Sequence, residues 1–262
     1  MKRRWFVKSS LLGSAALAMT PVVSNAKSSA DSTEYFELRI YNIKYDYQQT
    51  LVEDYLKNAE IPALNRAGVK HVGVFTEMVY NRHARIIVIV QYKNLEQFNV
   101  VSDSFNGDEE YKTKGAAYLN PPVKKPAYER IESSLLKAFS HMPAMSVPEN
   151  NFRIFELRQY QSVSEGTSKR KIDMFNNQGE IEIFKRLGFK PVFFGETVIG
   201  AERPNLTYML TFEGLVEKDA HWKAFGDDAE WKKIKSLPQN ADSEIVSKIT
   251  SINMAPTDYS QI

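Results

Sequence analysis

The residues best suited to chemistry lie in two short stretches that resemble each other. Each stretch alternates apolar residues with an acid, a base and a phenol, and a period of two places the polar side chains on one face of a strand. They are Glu37, Arg39 and Tyr41 in the first stretch and Glu156, Arg158 and Tyr160 in the second. These residue types could bind a small molecule.

Two functions are open for this arrangement. An arginine fork can hold a carboxylate, and a desolvated glutamate can act as a base. Alternatively, the acid and the base pair with each other, because buried charges need partners whatever the function. The presence of the same trio in both stretches favours the structural interpretation.

The two stretches belong to a repeat that spans about 100 residues per copy. Residues 36–41 and 155–160 differ at one of six positions and stand 119 positions apart. Further matches follow in the same order, among them 66–68 with 186–188 at an offset of 120. Self-similarity at a fixed period indicates two copies of one structural unit.

Each copy is predicted to fold as β-α-β-β-α-β, the ferredoxin-like pattern. Gly68 and Gly188 are expected to end the first helix of each copy, and Pro62 to kink or split it. Asp108 and either Asp227 or Asp228 are candidate N-caps. After the opening strands, further strands are predicted at 72–79, 85–92, 130–139, 191–199, 206–212 and 245–254.

The predicted fold class is α+β, with two tandem ferredoxin-like repeats that form an intrachain dimeric α/β barrel. The helices of one such unit cover only one face of its sheet, so the second copy is the expected cover for the other face. The predicted domains are 34–140 and 152–256, with linkers at 27–33 and 141–151 and a tail at 257–262.

The motifs of the second copy resemble the NIPSNAP family, and those of the first copy follow less closely. They are Glu156-Leu157-Arg158-x-Tyr160, the helix-ending Gly188, Gly195-Glu196 and Glu230-Trp231. The resemblance covers almost everything after residue 26 and implies the dimeric α/β-barrel fold. It implies little about activity, although barrel relatives include haem-degrading monooxygenases, chlorite dismutase-like haem enzymes and cofactor-free oxygenases. Family members often carry a histidine on the third strand. At this place the second copy has residues 208–212, which begin with Tyr208, and the first copy has Val88.

The barrel interior is the predicted ligand site. If Phe36, Leu38, Phe155 and Leu157 pack under the helices, the polar face of each opening strand lines the lumen. Glu77 and Glu196, on the second strand of each copy, match when the repeat alignment is shifted by one residue. They could extend this cluster or form salt bridges at the strand edge. The eight lumen candidates are Glu37, Arg39, Tyr41, Glu77, Glu156, Arg158, Tyr160 and Glu196.

No cofactor and no metal site are predicted. The chain has no cysteine, and its four histidines, at 71, 83, 141 and 221, show no metal-binding spacing. A haem ligand could come only from His71 or His221. The net charge is +2, but residues 1–26 carry four basic residues and no acid, which leaves about −2 for the rest. That charge does not favour nucleic acid.

Residues 1–26 are predicted to be an export signal. A basic start with the pair Arg3-Arg4, a short apolar stretch and Ser24-Asn25-Ala26 fit a cleaved signal peptide of the twin-arginine type. A general secretory signal is the alternative. The apolar stretch is too short for a spanning helix of about 20 residues, so no membrane span is expected in the mature protein, which would reach the periplasm or the medium.

The functional expectation is an exported protein that binds a small organic ligand in the barrel interior. Two alternatives stay open: an oxygenase- or isomerase-type enzyme, either cofactor-free or haem-dependent, and a scaffold that binds other proteins. A homo-oligomer is also open.

Overall fold

The structure is a computed structural model that describes residues 33–79, 85–149 and 153–262. The predicted signal peptide and the turn that contains His83 lie outside the described residues. The strands are β1 (Tyr35–Asn42), β2 (Val72–Glu77), β3 (Ile86–Tyr92), β4 (Arg130–Ala138), β5 (Ile154–Gln161), β6 (Lys190–Ile199), β7 (Asn205–Phe212) and β8 (Lys248–Pro256). They agree with the predicted strands to within three residues at nearly every end.

The eight strands form a closed antiparallel barrel in the order β1-β3-β2-β8-β5-β7-β6-β4. Closure leaves no free sheet edge. Two junctions hold the halves together, β2 against β8 and β4 against β6. The fold is therefore a mixed α/β fold built on an eight-stranded barrel, as expected for a dimeric α/β barrel.

Helices cover the outside of the barrel. They are α1 (Asp46–Tyr55), α2 (Ile61–Arg66), α3 (Leu95–Ser104), α4 (Glu109–Lys114), α5 (Ala116–Leu119), α6 (Glu165–Asn176), α7 (Glu180–Arg186), α8 (Leu215–Asp227), α9 (Ala229–Lys235) and α10 (Asp242–Ile245). Asp108 and Asp228 cap α4 and α9 as predicted, with carboxylates that accept backbone N–H groups at 2.9–3.0 Å. Gly68 and Gly188 follow α2 and α7 with φ of +86°, where a side chain would be strained.

The first helical stretch differs between the halves. In the first half, α1 continues through a π-helical turn, Leu56–Glu60, into α2, so the interruption expected at Pro62 comes earlier. In the second half, the helix stops after Asn176, and Gly179, with φ of +95°, precedes α7. The second half is one residue longer here, which explains why the repeat offset changes from 119 to 120.

The barrel lumen is packed with apolar side chains from the strands. Fifteen buried residues form this lumen cluster. Among them the rings of Phe36 and Phe193 lie 4.9 Å apart, and those of Phe75 and Phe155 lie 4.8 Å apart. An eight-stranded barrel is just wide enough for side chains to fill it. The lumen is thus a core shared by both halves.

The expected orientation of the opening strands is wrong. Phe36, Leu38, Phe155 and Leu157 belong to the lumen cluster instead of packing under the helices. A separate core lies between each half of the sheet and its own helices. The apolar face of each opening strand fills the lumen, and the polar face turns to the helices, which supply polar partners.

The predicted tail, residues 257–262, packs against the barrel. The backbone N–H groups of Thr257 and Gln261 donate to the carbonyls of Val74 and Val72, both at 2.9 Å, and Ile262 joins the lumen cluster. The tail therefore closes one end of the lumen. No helix in the described part of the chain is long and apolar enough to cross a membrane.

Candidate functional site

In the first half, Arg39 lies between two glutamates. Its Nε and Nη2 donate to the two carboxylate oxygens of Glu37 at 2.7 and 2.8 Å, and its Nη1 donates to Glu60 Oε1 at 2.6 Å. Glu60 ends the π-helical turn and is 3% exposed. We call Glu37, Arg39 and Glu60 the Arg39 cluster. It joins the outer face of β1 to the helical layer.

Hydroxyl groups complete the surroundings of the Arg39 cluster. Tyr92 and Ser133 donate to Glu37 at 3.1 and 3.2 Å. Burial disfavours the charge of Glu37, but the hydrogen bonds and charge of Arg39 outweigh it, so the pKa of this carboxyl is lowered. Burial and the charge of Glu60 raise the pKa of Tyr41. These groups hold an ionised pair and a neutral phenol.

In the second half, Arg158 has one carboxylate partner among the described residues. Its Nη1 donates to Glu156 Oε1 at 3.0 Å and its Nη2 to the Tyr160 hydroxyl at 3.3 Å. The guanidinium carbon lies 4.3 Å from the centre of the Trp222 ring, within cation–π range. Trp222 Nε1 and Ser251 Oγ donate to Glu156 at 2.7 and 2.6 Å. We call Glu156, Arg158 and Trp222 the Arg158 cluster.

Beside the Arg158 cluster lies a buried lysine. Lys171 Nζ binds Glu180 Oε2 at 3.2 Å, and both side chains are 2% exposed. The ammonium lies 5.1–5.2 Å from the ring centres of Tyr160, Phe175 and Trp231. Burial opposes the charge of Lys171, but Glu180 outweighs it and raises the pKa of the lysine. Glu180, the repeat equivalent of Glu60, is thus paired with Lys171 and not with Arg158.

The placement of the eight predicted site residues in the lumen is wrong for most of them. Glu37, Arg39, Tyr41, Glu156, Arg158 and Tyr160 lie on the helix-facing side of the sheet, where their partners come from helices and neighbouring strands. Glu196 has the same orientation, because it pairs with Leu206 of the helix-facing core. Whether any of the eight binds a ligand remains a prediction.

Glu77 does lie on the lumen side, near one end of the barrel. It pairs with Arg85, whose Nε and Nη2 donate to the carboxylate at 2.9 and 2.8 Å. Its counterpart by strand register is Thr197 and not Glu196. Thr197 Oγ1 donates to Asn205 Oδ1 at 2.6 Å, so a hydrogen bond replaces the ion pair in the second half.

Sequence reasoning missed the partners supplied by the helices. These are Glu60, Lys171, Glu180 and Trp222. The repeat carried a signal for two of them, because Glu60-Ile61 and Glu180-Ile181 match at an offset of 120. An acid kept beside an apolar residue on both copies of a helix indicates a buried acid. Nothing comparable marked Lys171, which stands 119 positions after Val52.

A cavity of about 210 Å³ opens at the end of the barrel where β1 and β5 finish. We call it the mouth cavity. Its floor is apolar, with Leu38, Leu157 and Ile252, and both halves contribute to it. Thr207 is fully buried in its wall, and its hydroxyl has no hydrogen-bond partner among the described residues. The mouth cavity is the part of the lumen that the core leaves open.

The described histidines are not brought together. The His221 ring packs 5.2 Å from that of Phe189, and its Nδ1 has no partner among the described residues. His71 lines a separate surface pocket and His141 is exposed. Within residues 33–79, 85–149 and 153–262, no group of three or more acidic or histidine side chains is arranged to hold a metal ion.

Residues 155–261 match the NIPSNAP family model. This range covers β5 to β8 and therefore the Arg158 cluster. No curated protein shows significant sequence similarity to the chain.

Solved structures with the same fold share little sequence with this chain. One is named "putative monooxygenase", from Fusobacterium nucleatum subsp. nucleatum ATCC 25586, with 10% identity, 86% of this chain and 93% of that chain covered, and a TM-score of 0.57. A second of that name, from Lactobacillus acidophilus NCFM, has 7% identity, coverage of 86% and 94%, and a TM-score of 0.56. An anthrone oxidase-like protein has 11% identity, coverage of 87% and 93%, and a TM-score of 0.52. These likenesses support the barrel fold alone.

Proposed function

We propose that this protein binds a small, neutral, polar organic molecule in the mouth cavity. The observation that carries the proposal is the buried Thr207 hydroxyl in the cavity wall, which has no partner among the described residues. A buried polar group without a hydrogen bond is costly. A ligand that offers a hydroxyl or carbonyl group would satisfy it.

The charges at the rim favour a neutral ligand. Arg85 is paired with Glu77, and Lys248 lies 3.7 Å from Glu202. Glu132 accepts a hydrogen bond from Asn42 at 2.8 Å. Each rim charge thus already has a partner, and the open volume of about 210 Å³ equals roughly seven water molecules at about 30 Å³ each. A single substituted aromatic ring is of this size.

The test uses an isosteric change in the cavity wall. Phenol, catechol and benzyl alcohol serve as probes, and their binding is measured by calorimetry and by ligand-observed NMR. Thr207→Val removes the hydroxyl and keeps the shape, so we expect it to weaken the best probe about threefold to tenfold. Thr76→Val, on the helix-facing side of β2, is the matched control. Equal affinity of the two variants, or no binding of any probe to the unaltered protein, would overturn the proposal.

An oxygenase-type activity is the second candidate. It is supported by the names of three structural relatives that share the fold, two called "putative monooxygenase" and one called an anthrone oxidase-like protein. An oxygen electrode with catechol, which has one ring and suits the size of the mouth cavity, tests it. Uptake that requires the protein and falls in Thr207→Val supports an enzyme acting in the mouth cavity. No uptake above the protein-free rate counts against this candidate.

The proposal includes export and an origin by duplication. The basic residues and apolar stretch within residues 1–26 support a cleaved signal, and fractionation of cells carrying Arg3→Lys with Arg4→Lys tests the twin-arginine route. The two halves have equivalent strand orders, β4-β1-β3-β2 and β8-β5-β7-β6. This equivalence supports two tandem ferredoxin-like repeats.

A further inference from the structure

At the other end of the barrel, just before β5, lies a buried arginine without a counter-ion. Arg153 is 8% exposed. Its Nε donates to Thr211 Oγ1 at 2.9 Å, while its Nη2 has no partner among the described residues. No carboxylate of the described residues lies within ion-pair distance of it.

The other buried arginines show how unusual this is. Arg39 and Arg158, whose side chains are 13% and 18% exposed, each bind a glutamate at 3.0 Å or less. A buried charge is normally paired, because removal from water is costly. As a whole residue Arg153 is more buried than either, yet among the described residues its guanidinium is paired with a hydroxyl only. An anion from outside the chain would complete its surroundings.

Arg153 lines a cavity of about 570 Å³ that suits such an anion. Lys185 and Lys190 add positive charge to its wall, and Glu149 is the acid among the lining residues. Lys185 also pairs with Glu182 at 2.8 Å on its exposed side. The remaining wall is partly apolar, with Met142, Pro148 and Pro191. Positive charge beside an apolar wall fits an organic anion better than an inorganic one.

The same position in the first half holds an acid whose two carboxylate oxygens both have partners. Glu34 stands 119 positions before Arg153, and Gln91 takes the place of Thr211 in the strand register. The two oxygens of Glu34 accept from Gln91 Nε2 at 2.6 Å and from the Met145 N–H at 2.7 Å. The free donor is therefore specific to the second half and is not a general feature of the fold.

We infer that this cavity, which we call the Arg153 cavity, binds a small carboxylic acid with an apolar body in its ionised form. The carboxylate accepts hydrogen bonds from the Nη groups of Arg153, because the planar guanidinium presents its donors as a fork. Lys185 and Lys190 add long-range attraction, and the apolar body lies against Pro191 and its neighbours. This site is separate from the mouth cavity and takes a ligand of different charge.

The test measures binding of benzoate, with benzamide as the neutral isostere and inorganic phosphate as the anion without an apolar body. We expect calorimetry to detect benzoate and not benzamide. Arg153→Gln should weaken benzoate at least tenfold, and Lys190→Gln about threefold. Glu149→Gln should leave benzoate binding unchanged or tighten it, because it removes a competing carboxylate. Thr207→Val, in the mouth cavity, should have no effect.

Three results would overturn the inference. They are equal binding of benzamide, phosphate binding as tight as that of benzoate, and full affinity in Arg153→Gln. If circular dichroism shows that Arg153→Gln is unfolded, the double variant Lys185→Gln with Lys190→Gln replaces it, since both lysines are on the surface. Benzoate affinity that is unchanged in that double variant also counts against the site.

Discussion

The Arg39 and Arg158 clusters begin with the same three strand residues and end with different partners. Arg39 donates to two glutamates, one from β1 and one from the π-helical turn. Arg158 keeps the strand glutamate but stacks on Trp222, because Lys171 has taken the helix glutamate. The side chains that the helices supply, and not the strand motif, decide how each arginine is bound.

The difference indicates in which half the loss of the arginine costs less stability. In the first half, two carboxylates share one arginine, and Glu60 has no other partner among the described residues. In the second half, Glu156 keeps donors from Trp222 and Ser251 even without Arg158, and Nε of Arg158 has no partner among the described residues. The Arg158 cluster therefore depends less on its arginine than the Arg39 cluster does.

The largest expected effect comes from replacing the arginines. Arg39→Met leaves Glu60 without a partner among the described residues and Glu37 with two neutral donors, and should lower the free energy of unfolding by about 3–5 kcal/mol. Arg158→Met leaves one carboxylate with two neutral donors and should cost about 1–3 kcal/mol. Urea denaturation of both variants measures the difference. Equal losses would show that the two clusters are equivalent after all.

Breaking the lysine pair comes next. Lys171→Met leaves Glu180 buried beside aromatic rings and should destabilise the protein by about 3 kcal/mol. The double variant Lys171→Met with Glu180→Gln should recover most of that loss, since no unpaired charge remains. Thermal and urea unfolding check it. A double variant no more stable than the single one would contradict the pairing.

Acid stability should depend on the Arg39 cluster. The pKa of Glu37 is lowered below its usual value of 4.5, so the folded state releases this proton more readily than the unfolded state. That stability is present above pH 4.5 and is lost as the pH falls through the lower, folded value. Glu37→Gln should flatten this part of the pH profile, because it removes the group whose pKa differs between the folded and unfolded states.

A second variant makes the acid test sharper. Ser133→Ala removes one hydrogen bond to Glu37. The loss of stability on acidification (the acid limb of the pH profile) should therefore begin at higher pH but should not disappear. Unfolding free energies at a series of pH values from pH 5 downward provide the measurement. If Glu37→Gln keeps the full acid limb, another carboxyl is responsible.

The smallest effect is expected where the halves agree. Gly68→Ala and Gly188→Ala both place a side chain at a φ of +86° and should each cost about 1–2 kcal/mol. The second should cost slightly more, since its Cβ would lie 3.3 Å from His221 Nε2, against 3.7 Å from Gln97 Nε2 in the first. Gly107→Ala, with nothing within 4 Å, is the control and should be near neutral.

Local signals predicted the elements of the fold well. Alternation gave the strands, and the caps at Asp108 and Asp228 and the stops at Gly68 and Gly188 lie where the motifs placed them. These features depend on neighbours in sequence. The closed barrel followed from the repeat, because two units that each leave one sheet face uncovered can cover each other.

The orientation of the sheet was beyond local signals. Alternation separates the two faces of a strand but does not say which face looks into the barrel. Phe36 and Glu37 fit either side until the partners are known, and the partner that decides, Glu60, comes from a helix 23 positions away. The mouth cavity was equally hidden, because it depends on how far side chains from both halves fill the lumen.

The lumen also shows a difference between the halves that bears on the proposed duplication. Gly73 and Phe193 occupy matching positions, and so do Phe75 and Gly195, so the large and small residues are exchanged between the halves. Two copies of either half alone would place both rings at one level and both glycines at the other. A homodimer cannot make this exchange, because a single gene segment specifies both sides of its interface. Under the proposed origin by duplication, joining the halves in one polypeptide would let each side be mutated independently, and the exchanged residues would make a return to a homodimer costly.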